Sequence, residues 1–305
     1  MAFQQMWTIR VLVMAIVLGG IPWGAVCVPA DRGDAEAMQA IAKSIGWNVP
    51  SPDPCDGTWT GVSCNEMGRV TSIVLTHAGL KGDLNGPDVS KLTFLSNLDL
   101  SFNGLLGDLP LLPTPHQHLR NIDLSSNSFT RIPDGFFAAL PALEDITLDN
   151  NDMLDWLERR DLVACSRLRS FSANNATIYG QFPNFFGDAA LFPALERLSL
   201  ARNKIYGAVA TGFGANSKIR YLDIGGQHYD GDTITGRLDL FIPDMVSLVE
   251  AHLDHSGFYG PLPDVTKLVN LRVFDASYNS LCGHPKFAPG TAVNLAENPN
   301  VGFAC

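Results

Sequence analysis

The densest cluster of reactive side chains in this sequence is His252-Leu253-Asp254-His255. Two imidazoles with a carboxylate between them are residue types that ligate zinc or titrate near neutral pH. A zinc site needs a third ligand, which would have to be Asp223 or Asp275 from a neighbouring segment, so the pair reads better as part of a binding surface. Arg202, Tyr221, His252, His255 and Tyr278 supply the aromatic and guanidinium groups enriched at protein interface hot spots, and they are expected to bind a protein or peptide. Imidazoles at such an interface would make binding change between about pH 5 and 7. Asp99, Asp123, Asp223 and Asp275 share one frame position, but only the first two fall on adjacent segments, too few to cage a cation. The glycine loop Gly212-Phe213-Gly214-Ala215-Asn216-Ser217 lacks the third glycine and the lysine of a kinase phosphate loop. No Ser/His/Asp set, paired acids or metal spacing converges, so no enzyme, metal or cofactor is expected.

What must position these groups is a repeat. The frame L-x-x-L-x-L-x-x-N-x-L recurs every 23 to 29 residues in nine units, starting at Val70, Leu95, Leu119, Leu143, Leu168, Leu195, Ile219, Leu248 and Leu271. This period is that of a leucine-rich repeat, an α/β solenoid with a curved parallel β-sheet on its concave face. One unit cannot bury its own apolar edge, so neighbours must stack and function must lie outside the shared core. Alternation along a strand sends frame positions 4 and 6 inward and leaves 3, 5, 7 and 8 on the concave face. Position 2 alternates Arg120, Glu144, Arg169, Glu196 and Arg220, a cross-strand ladder of opposite charges. Ala78, Ala176, Gln227 and Ser256 replace the frame Asn, whose amide normally binds turning backbone, so those coils must satisfy it otherwise. The single sequon, Asn175-Ala176-Thr177, would put a glycan at the middle of the face and push a partner toward one end. The longest step contains an insertion at residues 228–240 with Asp230, Gly231 and Asp232, read as a tolerated loop.

The ends differ. Residues 1–30 carry one charge, Arg10, then an apolar run over 11–18 and small residues, which describes a secretory signal peptide. No second span follows, so the chain is expected to be secreted, without a membrane span in its mature part. Residues 31–69 form an N-terminal cap, 70–285 the repeats and 286–305 a C-terminal cap. In an oxidising compartment Cys55 should pair with Cys64 and Cys282 with Cys305, each pair bracketing one end of the array, with Cys165 left as a small buried thiol. Removing residues 1–30 leaves 20 Lys and Arg against 31 Asp and Glu, a formal charge of −11 that makes nucleic acid a poor partner.

Residues 34–45 have helical periodicity, followed by Gly46-Trp47, Asp53-Pro54-Cys55 and Trp59-Thr60-Gly61-Val62-Ser63-Cys64. That order resembles the N-terminal cap of plant leucine-rich-repeat proteins. Many units continue G-x-L-P, as at Gly107-Asp108-Leu109-Pro110 and Gly260-Pro261-Leu262-Pro263, which resembles the plant subclass with a second short strand on the convex side. The cap, Phe171-Ser172-Ala173-Asn174, Gly226-Gln227, residues 258–264 and Val293-Asn294-Leu295 are similar to the first extracellular repeat block of the plant transmembrane-kinase (TMK) receptor-like kinases. The resemblance covers residues 46–305. It implies cell-surface signalling in growth, with an auxin-binding protein or a co-receptor kinase as partner. The family's cysteine island, second repeat block, membrane helix and kinase are not in this sequence. The other function considered is a secreted inhibitor of a microbial cell-wall-degrading enzyme such as a polygalacturonase. It would need an unbroken charged and aromatic column, which Gly226 and Ala201 interrupt.

Overall fold

The computed structural model describes residues 28–227, 231 and 233–305. The expected signal segment lies outside them apart from residues 28–30, as do His228, Tyr229, Asp230 and Asp232 of the expected insertion. The N-terminal helix, Arg32–Ser44, begins where the Asp31 carboxylate accepts the N–H groups of Gly33 (2.9 Å) and Asp34 (3.4 Å). That satisfies two of the helix's orphan donors. Ala37, Met38, Ile41 and Ala42 turn inward. The wholly buried Asp34 carboxylate accepts the Arg69 guanidinium at 2.8 and 3.1 Å and the Val70 N–H at 2.8 Å, which fastens the helix to the first repeat strand. The Cys55–Cys64 disulfide and an edge-on contact of Trp47 with Trp59 at 5.0 Å complete the cap.

Nine coils each add a parallel strand to the concave sheet, in sequence order from Val70–Val74 to Val273–Asp275. Register is exact from coil to coil: Leu98 lies beside Ile122 and Leu198 beside Leu222, so the inward residues form one continuous core. Val62–Cys64 adds an antiparallel strand at one end and Ala292–Asn294 a parallel one at the other. This last strand belongs to a tenth coil within residues 286–305, closed by the Cys282–Cys305 disulfide. A chain of phenylalanines runs through the core behind the sheet, Phe137 to Phe171 at 5.9 Å, Phe171 to Phe186 at 5.1 Å and Phe213 to Phe241 at 6.1 Å.

The expected concave positions need correction. Most strands cover only frame positions 3 to 5, as in Asn97–Asp99. Position 7 is mostly turned inward, with Ser101, Ser125, Ala201 and Ser277 buried. Position 8 is left-handed in all nine coils, from His77 (φ 54°) and Phe102 (56°) to His255 (46°) and Tyr278 (54°), with Gly226 at 68°. Strand alternation therefore stops at position 5, and the left-handed residue swings each position-8 side chain to the sheet's rim.

A ladder of side-chain amides holds these strained turns. Asn103 Nδ2 donates to Leu75 O of the previous coil (2.8 Å) and Leu100 O of its own (2.9 Å), while its Oδ1 accepts the Leu80 N–H. Asn127, Asn151, Asn203 and Asn279 repeat the pattern, and Asn298 extends it into the tenth coil. Gln227 does the work of the missing Asn, donating to Leu200 O at 2.7 Å and accepting the Ile205 N–H at 3.2 Å. Where Ala176 leaves a gap, Asn203 Oδ1 accepts two N–H groups, those of Ala176 and Ile178, both at 3.0 Å.

The opposite flank carries the second ladder in two pieces. Lys81–Asp83, Gly104–Asp108 and Ser128–Arg131 form three strands, and Tyr179–Gln181 through Asn300–Val301 form six. The break falls in the fourth coil. Most coils have a positive-φ glycine at frame position 13, such as Gly107 (83°) of the second and Gly180 (106°) of the fifth, whereas the third has Arg131 and still pairs. The fourth coil has Asp155 there, a residue that favours that backbone region far less. Its carboxylate substitutes for the ladder, with Oδ2 accepting the Ile132 N–H at 2.9 Å.

Candidate functional site

Parallel register sets Arg197, Tyr221 and Glu250 side by side at position 3 of coils six to eight, and Ser199, Asp223, His252 and Asp275 at position 5 of coils six to nine. The Arg197 guanidinium lies over the Tyr221 ring, 3.6 Å from its centroid, a cation–π contact. The Tyr221 ring is 5.4 Å from that of His252, and its hydroxyl donates to Asp223 Oδ2 at 3.3 Å. His252 Nε2 in turn lies 3.4 Å from Glu250 Oε2. Burial pushes the Asp223 carboxyl above its ordinary pKa, opposed by His252 and the Gly225 N–H; burial also raises the Tyr221 phenol. Asp275 is held low, because hydrogen bonds from Ser277 and Asn294 outweigh its desolvation.

The rim forms a second row. His255 stacks on Tyr278 with centroids 4.1 Å apart and 18° between planes, and its Nδ1 is 3.0 Å from Asp254 Oδ2. Between Arg202 and His255 stands Gly226, whose missing side chain opens a recess of about 480 Å³ lined by Asn175, Thr177, Arg202, Lys204, Asp254 and His255. Arg202 and Lys204 make no ion pair among the described residues, so the recess presents two unneutralised cations beside one carboxylate.

The five residues singled out in the sequence thus lie in coils six to nine as two rows. Tyr221 meets His252 on the strands; His255 meets Tyr278 on the rim, where Arg202 joins them across the recess. His252 and His255 engage different carboxylates and do not converge on a common point. Among the described residues no group of three or more His, Cys, Asp or Glu is placed to hold a metal. Arg197 and Lys204 were missed by the sequence reading. Reading the position-3 column, where Arg197 precedes Tyr221 by one coil, would have found the first.

The other sequence features resolve individually. Asp99, Asp123 and Asp275 each accept the N–H and hydroxyl of the serine two residues on, at 2.6 to 3.0 Å, so these carboxylates shape the turn into position 8. The position-2 ladder forms in separate pairs: Arg120 meets Glu144, and Arg169 lies 3.5 Å from Glu196. Arg220 has no ion pair among the described residues, which corrects the expectation of a continuous ladder. Asn175 is exposed on the rim, its Nδ2 donating to Asn150 Oδ1 at 3.1 Å. A second stacked pair, His77 and Phe102 at 4.4 Å, occupies the rim at the other end.

Comparison with known proteins places this geometry. Residues 117–176 match the leucine rich repeat family, and residues 32–65 match the leucine rich repeat N-terminal domain. The chain is 31% identical to receptor-like kinase TMK2 of Arabidopsis thaliana over 236 residues, covering 77% of this chain and 26% of that protein. It is 32% identical to receptor-like kinase TMK4 of the same plant over 275 residues, covering 88% and 28% respectively. The chain therefore spans little more than a quarter of the length of these curated relatives. Among solved structures, the Arabidopsis receptor kinase HAESA, in complex with the peptide hormone IDA and the co-receptor SERK1, superposes with a TM-score of 0.68 at 22% identity, covering 88% of this chain and 50% of that one. The chain is a plant-type leucine-rich-repeat solenoid with its own N-terminal domain, related in sequence to the TMK receptor-like kinases.

Proposed function

We propose that this chain is an extracellular recognition module of a TMK-like receptor, and that it grips a protein or peptide ligand on coils six to nine. The observation that carries this reading is the pair of contiguous rows just described, Arg197–Tyr221–His252 on the strands and Arg202–Gly226–His255–Tyr278 on the rim. Rigid aromatic rings and guanidinium groups give large contact area at low conformational cost, and the recess beside Arg202 and Lys204 accepts an acidic or carbonyl-bearing side chain. The described helices include none long and apolar enough to cross a membrane, which is compatible with a module outside the cell or held at its surface. Likeness to the TMK kinases supports a role in growth signalling with an auxin-binding protein or a co-receptor kinase as partner. A glycan on Asn175 would border the recess and confine the ligand to the C-terminal coils.

The test is capture from cell-wall extract by immobilised chain, quantified by mass spectrometry, with His252, His255 and Tyr278 replaced together by Ala in a matched sample. Proteins or peptides retained by the wild type and lost by the variant are expected. An identical retained set from both would refute the assignment of this patch.

A further inference from the structure

The break in the second ladder opens a recess of about 710 Å³ on the flank away from the concave rows. Its apolar part is unusual for a surface: Leu154 is 61% exposed, Trp156 50% and Leu111 43%, with Tyr179 edge-on to Trp156 at 5.7 Å. Around it stand Asp108, Asp134, Asp155, Glu158 and Asp161, against a single lining cation, Arg131. Arg131 is already spent on Asp108, at 3.0 and 2.7 Å, and Arg160 reaches Asp134 only at 3.6 Å. Asp155, Glu158 and Asp161 form no ion pair among the described residues; they accept the Ile132 N–H, the Trp156 Nε1–H and the Gly135 N–H. The structure keeps exposed leucine and tryptophan together inside an acidic ring, where an uninterrupted ladder would have covered them.

We propose that this flank is a second interaction surface, and that its occupant is a protein segment carrying Lys or Arg next to an apolar side chain that enters the recess between Leu154 and Trp156. Charge complementarity selects the cation, and the unpartnered apolar floor selects its neighbour. A neutral glycan could stack on Trp156 but would leave the ring of carboxylates unanswered. A second copy of this acidic chain would bring a like net charge to the surface.

The test uses a fluorescent peptide alternating Lys and Leu, its Glu and Leu counterpart, and a neutral β-glucan oligosaccharide, with binding followed by anisotropy. The Lys peptide is expected to bind and the Glu peptide to fail. Trp156→Ala, which leaves the charge unchanged, should weaken the Lys peptide roughly tenfold or more, Glu158→Lys should weaken it similarly, and Tyr278→Ala, on the other face, should have no effect. Leu154→Ser is a second apolar variant at a more exposed position and keeps the test decisive should Trp156→Ala fail to fold. The proposal is overturned if both apolar variants bind like the wild type, since the peptide is then held only by diffuse negative charge. Equal binding of the two peptides, the oligosaccharide binding in their place, or Trp156-dependent self-association in sedimentation would also overturn it. Loss of binding in Tyr278→Ala would move the site to the concave rows.

Discussion

Replacing Asn203 by Ala should cost far more stability than the same change at Asn127, although both are frame asparagines. Where two successive coils both carry the amide, the bridged carbonyl receives two, one from its own coil and one from the next, as at Leu100, Leu124, Leu200 and Ala276. Leu100 O accepts from Asn103 and Asn127, and Leu124 O accepts from Asn127 and Asn151. Asn127→Ala therefore strands one group, the Leu105 N–H that Asn127 Oδ1 accepts. At Asn203 the redundancy is gone, because Ala176 contributes no amide. Its removal strands three groups: Ala173 O and the N–H groups of Ala176 and Ile178, while Leu200 O keeps Gln227. At about 1 to 3 kcal/mol for each buried polar group left unpaired, less what entering water recovers, Asn203→Ala should lose roughly 3 to 6 kcal/mol and Asn127→Ala about 1 to 2. Urea unfolding followed by far-ultraviolet circular dichroism, with thermal melts alongside, measures both. The Asn203 variant should melt several degrees lower, at about 2 to 4 °C per kcal/mol for a chain of this size. Equal losses, or a greater loss at Asn127, would refute the claim that ladder redundancy sets the cost.

Two further outcomes follow from buried titratable groups. His116 is buried, its Nε2 2.9 Å from Leu92 O and its Nδ1 accepting the Leu119 N–H at 3.1 Å, and burial pushes its pKa below the ordinary value. The unfolded chain then takes up this proton first as pH falls, so the stability His116 contributes is intact above about pH 6.5 and is lost as pH drops through its lower native pKa. The wild-type melting temperature should fall more steeply than that of His116→Gln between about pH 6.5 and 5, and parallel profiles would exclude the effect. Cys165 is fully buried, its thiol pushed up to about 12 by desolvation, and it is the one free cysteine among the described residues. A colorimetric disulfide reagent should find no reactive thiol in the native chain and one per molecule in guanidinium when the chain starts at residue 31; rapid native reaction would contradict the burial.

How much of this was legible in the sequence follows from the range of each signal. The coil count and inward register came from Leu and Ile at fixed spacing, because burial acts on side-chain type at every turn. The cap helix was placed within two residues, since Asp31 and the apolar stripe of Ala37, Ile41 and Ile45 are local features. The left-handed rim was missed because Phe102, Arg202 and Tyr278 are not residues that ask for positive φ. Their conformation is imposed by the amide ladder, an inter-coil effect that spacing alone does not express. The ladder break was not legible, since the third coil also lacks the frame glycine, at Arg131, and still pairs; its consequence, exposed Trp156 beside an acidic ring, required the packing of four successive coils. The sequence also grouped the five candidate residues without separating the strand row from the rim row, because that division depends on where alternation stops.

These two failures of sequence reading share a cause with the surfaces they conceal. A solenoid repeats its core strictly, since each Leu must meet the next coil's Leu, so variation is tolerated only where neighbours do not share a side chain. Frame position 8 is such a place: its left-handed backbone is fixed by Asn and Gln amides, which frees its side chain to be His, Phe, Arg, Gly or Tyr without cost to the stack. The flank at coil four is another, because Asp155 satisfies the Ile132 N–H with a side chain and releases its backbone from the ladder. In both, a polar side chain takes over a backbone duty and an outward group is set free. The two surfaces lie on different faces of the same stack, so the ligands proposed for the concave rows and for the acidic flank should bind independently, and substitutions in one should leave the other unchanged.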